Sequence, residues 1–278
     1  MRTGARMKKF PMGIFAGAIF VSVLAAQTAP TPEKREQLPS QSTAIKDVLV
    51  PVPREIFDTL DRFENSNWHL VQRPDIADWR PRGGQEENAL QLGVVIAEGF
   101  IAAAARDAGE VKRVGDAVLR FTRALGVERV ALRRSRSIIE HAEQGDWLAV
   151  RKEWDRLLPD VQRGMNELQS EPLAQLVSLG GWLRGAGALS ALVLQNYSAK
   201  DAELLRQPAV LDYFGQRLAG MDEAMRANPA VARMQAGLPK IRQLLAADSE
   251  PMSKETAKKI STVAEGLLQD LGRERGGG

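Results

Sequence analysis

The stretch Leu173–Gln195, LAQLVSLGGWLRGAGALSALVLQ, constrains this chain more than any other. It carries one charge, Arg184, and the glycines Gly180, Gly181, Gly185 and Gly187. At about 100° per residue, Leu176, Leu179, Leu183, Ser190 and Leu194 share one side, with Trp182, Leu189 and Val193 beside them. Gly180, Arg184, Gly187, Ala188 and Ala191 lie opposite. A glycine inside a helix costs roughly 1 kcal/mol relative to alanine, so several together need an offset. Close approach of a neighbouring helix backbone supplies one. Apolar residues on nearly every side make this a surrounded helix rather than a surface one. Its length would also cross a bilayer, which takes about 20 apolar residues. Arg184 opposes that reading, because a charge at the midplane costs roughly 2.5–3.5 kcal/mol. The expectation is a buried central helix and no transmembrane span in the mature chain.

The N-terminus sets the compartment. Arg2, Arg6, Lys8 and Lys9 precede an apolar run, Met12–Leu24, and small residues follow it. That is the layout of a secretory signal peptide over 1–26, with cleavage near Ala25 or Ala26. The chain is then exported, to the periplasm. No cysteine exists, so the exported chain folds without disulfides. The whole chain has net charge +3, and 1–26 contributes four positive and no negative charges, so the mature protein is near −1. A nucleic-acid-binding chain keeps a strong basic excess; this one does not, and no nucleic-acid partner is expected. About 250 mature residues suffice for a core without covalent staples.

Residues 27–52 read as a flexible, proline-rich tether, in which the run Ile45–Val50 can pack locally. A single helical domain is expected over 53–272, followed by a disordered tail, 273–278. Ile56, Phe57, Leu60 and Phe63 follow helical spacing, whereas 65–84 is irregular and holds Trp68, His69 and Trp79. Long loops of this kind are uncommon in compact domains, and the two tryptophans read as anchors for it. A second small-residue helix spans 86–107, with Glu98 as its internal charge. Glu87, Gln91 and Glu98 fall on one narrow stripe, which reads as a solvent seam. Helices follow over 110–125, closed by Gly126, and over 128–143. Gly145 and Asp146 mark a turn into a helix over 147–169, bent near Pro159. This Gly-Asp-Trp turn resembles those between helices of tetratricopeptide-like repeats, but no period of about 34 residues recurs. The central helix spans 172–197. Further helices are expected over 208–227, over 229–247 with a disturbance at Gly237–Pro239, and over 253–271. Leu90–Ala105 and Ala174–Leu189 echo one another in composition. The fold class is all-α: an irregular multi-helix bundle of αα-hairpins around the gly/ala-rich helix.

Catalytic chemistry finds little support. His69 and His141 are the only histidines, so a histidine-rich or thiolate metal site is excluded. No nucleophile elbow accompanies either histidine. Gly83-Gly84 and Gly180-Gly181 lack phosphate-loop spacing and strand context. No cofactor, metal or catalytic residue is assigned, and the chain is not expected to be an enzyme. Arg120, Arg123, Arg129, Arg133, Arg134 and Arg136 form a basic cluster, read as a solvated face balanced by nearby acids. Glu98 and Arg184 carry the sharpest expectation. Each is the lone charge of a small-residue helix, and antiparallel packing would make them a buried polar pair or a ligand contact. The functional expectation is an exported, non-enzymatic interaction or scaffold protein. The alternative is a periplasmic small-ligand-binding protein with a pocket between helices 86–107 and 172–197. Neither the partner nor the oligomeric state is written in the sequence.

Overall fold

Spacing, caps and punctuating glycines turn most of the chain into helices. The computed structural model describes residues 43–45, 48–50, 63, 66–248 and 250–273. The expected signal peptide, most of the tether, the helix expected over Ile56–Glu64 and residues 274–278 lie outside the described residues. Thr43–Ile45 and Val48–Val50 pair as short antiparallel strands, and the remaining elements among the described residues are helical. The larger helices are α1 (Gln85–Ala104), α2 (Ala108–Ala124), α3 (Glu128–Glu143), α4 (Trp147–Glu167) and α5 (Glu171–Gln195). The short α6 (Ala199–Ala202) leads to α7 (Pro208–Ala219), α8 (Glu223–Ala227), α9 (Pro229–Ala247) and α10 (Lys254–Gly272).

The turns follow local chemistry. Gly126 and Gly145 adopt φ of 76° and 73°, a left-handed conformation that glycine reaches without a Cβ clash. Asp146 then accepts from Ala149 N–H at 3.1 Å and caps α4. Asp107, Asp222, Asn228 and Ser253 cap α2, α8, α9 and α10 in the same way. Pro159 and Pro239 lie within α4 and α9, which continue past them. The helix expected over 208–227 is two pieces, because Gly220 ends α7 and Asp222 starts α8.

The core centres on α1 and α5. Along α1, Ala89, Leu90, Leu92, Val94, Val95 and Ala97 are fully enclosed, and so are Leu176, Val177, Leu183 and Val193 along α5. Both helices are long and apolar enough to cross a membrane, and nearly all of the apolar stretch of each is buried inside the fold. Leu90 meets Gly180, and Glu98 meets Arg184. The Glu98–Arg184 bond lies C-terminal to the Leu90–Gly180 contact on both helices, so α1 and α5 run parallel, and the pair forms without antiparallel packing. The chain's own course accounts for this: α2, α3 and α4 reverse direction in turn between them. Helix α10 runs the other way, with Leu271 beside Gln91 and Glu265 beside Gly187.

Candidate functional site

The small residues of α1 and α5 are spent on backbone contact. A Cβ on Gly93 would lie 1.9 Å from the Val177 carbonyl oxygen, and one on Gly180 would lie 2.0 Å from that of Leu90. Farther along α1, a Cβ on Gly99 would lie 1.6 Å from the Trp154 ring. Trp154 fills that notch, donates from Nε1 to Ile96 O at 2.7 Å, and stands edge-on to Phe100. At Gly93 and Gly180 the backbones of α1 and α5 meet with no side-chain layer between them.

Glu98 and Arg184 meet between the two helices. Arg184 Nε donates to Glu98 Oε2 at 2.7 Å, and the side chains are 1% and 0% exposed. Their remaining bonds go to the segment 66–84, hereafter the strap. Arg184 Nη2 donates to Val71 O, and the backbone N–H of Arg73 donates to Glu98 Oε1 at 2.7 Å. The pair therefore spends its hydrogen-bonding capacity on strap backbone. Oriented, charge-assisted bonds of this kind are the strong class, and they satisfy groups whose burial is otherwise costly.

Further groups hold the strap along its length. Trp68, Val71, Ile76 and Ala77 are buried beneath it. Arg73 pairs with Glu265 on α10. Arg113 bonds Asp78 at 2.8 Å, and Arg120 donates to Ala77 O at 2.7 Å. Trp79 lies on Gly272, where a Cβ would come within 2.7 Å of the indole. The stripe Glu87, Gln91, Glu98 is a correction: all three are buried beneath the strap and α10 rather than open to solvent. Gln91 Nε2 donates to Leu271 O at 2.8 Å.

On α2, Glu110 is a second buried acid. Its carboxyl is pushed above its ordinary value, first by burial and then by the negative charges of Glu98 and Asp107, with Arg113 opposing. Glu110 Oε2 accepts from Arg113 at 2.7 Å, and Oε1 has no protein partner.

The basic cluster divides by role. Arg120 serves the strap, and Arg123 pairs with Glu128. Arg134 bridges Glu153 and Asp160 on α4, both at 2.7 Å. Arg129, Arg133 and Arg136 are exposed on α3. His69 is exposed and touches Gln72, while half-buried His141 lies 3.9 Å from Asp146. Among the described residues, no three His, Asp or Glu side chains gather into a metal-binding group.

Two surface features had no counterpart in the sequence reading. One is a cleft of about 410 Å³ where the strap meets α1 and the end of α10, lined by Trp79, Arg80, Glu87, Gln91 and Arg273 among others. The other is an open apolar groove of about 500 Å³ between α9 and α10, floored by Leu244, Ala247 and Val263. Both join residues far apart in sequence, so helical spacing gives no hint of either. Comparison with protein-family models, with curated proteins and with solved structures finds no match to this chain.

Proposed function

We propose that this chain is an exported, non-enzymatic helical interaction protein. In this reading αα-hairpins are arranged around the central helix α5, and the α9–α10 groove receives an acidic amphipathic helix of a partner protein. The groove is the observation that carries the reading. Leu244 and Val263 are half-buried and face an open channel, and Thr262, Gln243, Lys240 and Lys259 flank them. An apolar stripe seated in such a groove is a recurrent way to bind a helix. The lysines select the partner's charge. Lys240 has no carboxylate partner among the described residues, and Lys259 holds Glu255 only at 3.7 Å on the surface. Lys254 and Lys258 add exposed positive charge to α10.

The alternative, a ligand pocket between the helices expected at 86–107 and 172–197, has less support. Backbone contact at Gly93 and Gly180 fills that interface, and the strap carbonyl of Val71 occupies the free side of Arg184.

The test replaces Thr262 with a photo-crosslinking residue in the full chain, expressed in its native cell. The expected product joins Thr262 to an acidic helical segment of another protein, and Lys240→Glu with Lys259→Glu reduces it severalfold. Crosslinks only to residues 53–64 of this chain, only to a second copy, or to nothing would overturn the reading. Export is checked separately by N-terminal sequencing of the mature protein, expected to begin just after Ala25 or Ala26.

A further inference from the structure

The cleft beneath Trp79 combines features that the strap's structural role does not use. Its floor is Gln91, 5% exposed, whose amide orientation is set by the bond to Leu271 O; its Oε1 is buried and has no protein partner. A buried acceptor left unpaired is unfavourable, and a ligand donor that reaches it recovers that cost. Its wall is Trp79, an amphipathic ring held in place by its seat on Gly272.

The charges at the mouth are unequal in availability. Asp78 is engaged by Arg113 and Asp75 by Arg73. Glu87 folds back over Gly83 at the start of α1, so it occupies the anion-favouring helix end itself. Arg80 is exposed, and its bonds go to the backbone carbonyls of Asp78 and Trp79. It has no carboxylate partner among the described residues. Arg273, which also lines the cleft, is exposed and pairs with Asp270 at 3.4 Å, the same length as the Arg73–Asp75 pair. An aromatic wall, a buried amide acceptor and the Arg80 guanidinium, which has no carboxylate partner among the described residues, together suit a hydroxylated anion. The volume falls within the usual range for small-molecule sites, roughly 300–1,000 Å³.

We propose that this cleft binds a small hydroxylated anion, a sugar-sized molecule carrying a carboxylate or phosphate. The ring face lies on Trp79, a hydroxyl donates to Gln91 Oε1, and the anionic group meets Arg80 and Arg273. The site is separate from the α9–α10 groove, so either reading stands or falls without the other.

The experiment uses the full chain labelled with 5-fluorotryptophan, with the Trp79 resonance assigned through Trp79→Phe. Glucuronate, glucose 6-phosphate and neutral glucose are titrated in turn. A saturable shift of Trp79 with one or both anions, weaker by about tenfold or more with glucose, is expected, since charge-assisted bonds are the stronger ones. Arg80→Gln, and independently Arg273→Gln, should weaken anion binding while leaving the other tryptophan resonances in place. A shift with glucuronate alone or with glucose 6-phosphate alone identifies which anionic group the site takes. No shift with either anion up to about 10 mM, where binding is worth under roughly 3 kcal/mol, would overturn the proposal. So would equal shifts with glucose, or anion binding indifferent to both arginine substitutions.

Discussion

Arg184 and Arg134 each stand between two acceptors at a helix junction, but only one of them is sealed. Arg184 and Glu98 are 1% and 0% exposed, whereas Arg134, Glu153 and Asp160 remain 16%, 17% and 14% exposed. Their surroundings differ as well. Glu153 and Asp160 hold further arginines, Arg156 and Arg163, on the solvent side. Arg184 and Glu98 instead hold strap backbone at Val71 and Arg73. The outer network trades protein partners for water when it is cut. The inner pair has no such exchange available, so cutting it strands a charge inside the α1–α5 seam.

The largest predicted effect follows from that contrast. Arg184→Met should destabilise the fold by about 3–5 kcal/mol, the usual loss when one member of a buried ion pair is removed. Arg134→Met should cost only about 1 kcal/mol, both read from urea unfolding midpoints. Equal losses would remove the distinction. Glu98→Leu combined with Arg184→Met sharpens it, because replacing both members is often close to neutral. The double variant should recover most of the global stability while amide exchange in Val71–Arg73 accelerates, since that backbone has lost its partners. If exchange there is unchanged, the pair does not hold the strap.

A second test applies the same comparison to glycines. Gly93→Ala and Gly180→Ala place a methyl about 2 Å from backbone carbonyl oxygen, and overpacking of this kind costs about 1–3 kcal/mol or more. Gly266, on exposed α10 surface with nothing within 4 Å of its missing Cβ, should behave oppositely. Gly266→Ala is expected to stabilise by about 0.4–1 kcal/mol, because alanine restricts the unfolded chain. Thermal unfolding of the three variants settles the sign. A stabilising Gly93→Ala would mean that α1 and α5 do not approach as closely as described.

The two kinds of glycine also mark how far the sequence could be read. Four glycines in one apolar stretch pointed to close backbone packing around 173–195, and Gly145-Asp146 pointed to a turn and cap. These are local signals, in which residue type and spacing decide the structure. The lone charges Glu98 and Arg184 stood out for the same reason. Their relative direction did not, because whether α1 and α5 run parallel depends on the number of reversals between them. The stripe Glu87, Gln91, Glu98 looked like a solvent face because periodicity cannot foresee that the strap and α10 cover it. Arg80 with Gln91, and Leu244 with Val263, come together only through tertiary packing, so the cleft and the groove left no pattern along the chain.

The smallest predicted effect concerns pH and the acid beside the sealed pair. Glu110 is buried with one oxygen unpartnered, and burial is the first cause of its raised pKa. A raised folded value means that the native state keeps the proton to higher pH than the unfolded chain does. Below the ordinary carboxyl range both states are protonated and Glu110 costs nothing. As pH rises from about 4.5 through the folded value, the unfolded state ionises first and a penalty builds up. Glu110→Gln abolishes that titration. Its stability relative to the wild type should therefore improve between about pH 4 and pH 7, by on the order of 1 kcal/mol or less. Glu153 titrates in the opposite sense. Burial pushes its carboxyl up, but hydrogen bonding and charge from Arg134, with Arg156 and His141, bring it below its ordinary value. Its contribution is present above the ordinary carboxyl range and is lost on acidification. Paired unfolding curves for wild type, Glu110→Gln and Glu153→Gln at several pH values should thus diverge in opposite directions. Parallel curves for the first pair would mean that water reaches Glu110 and that the region beside Glu98 is less closed than its geometry indicates.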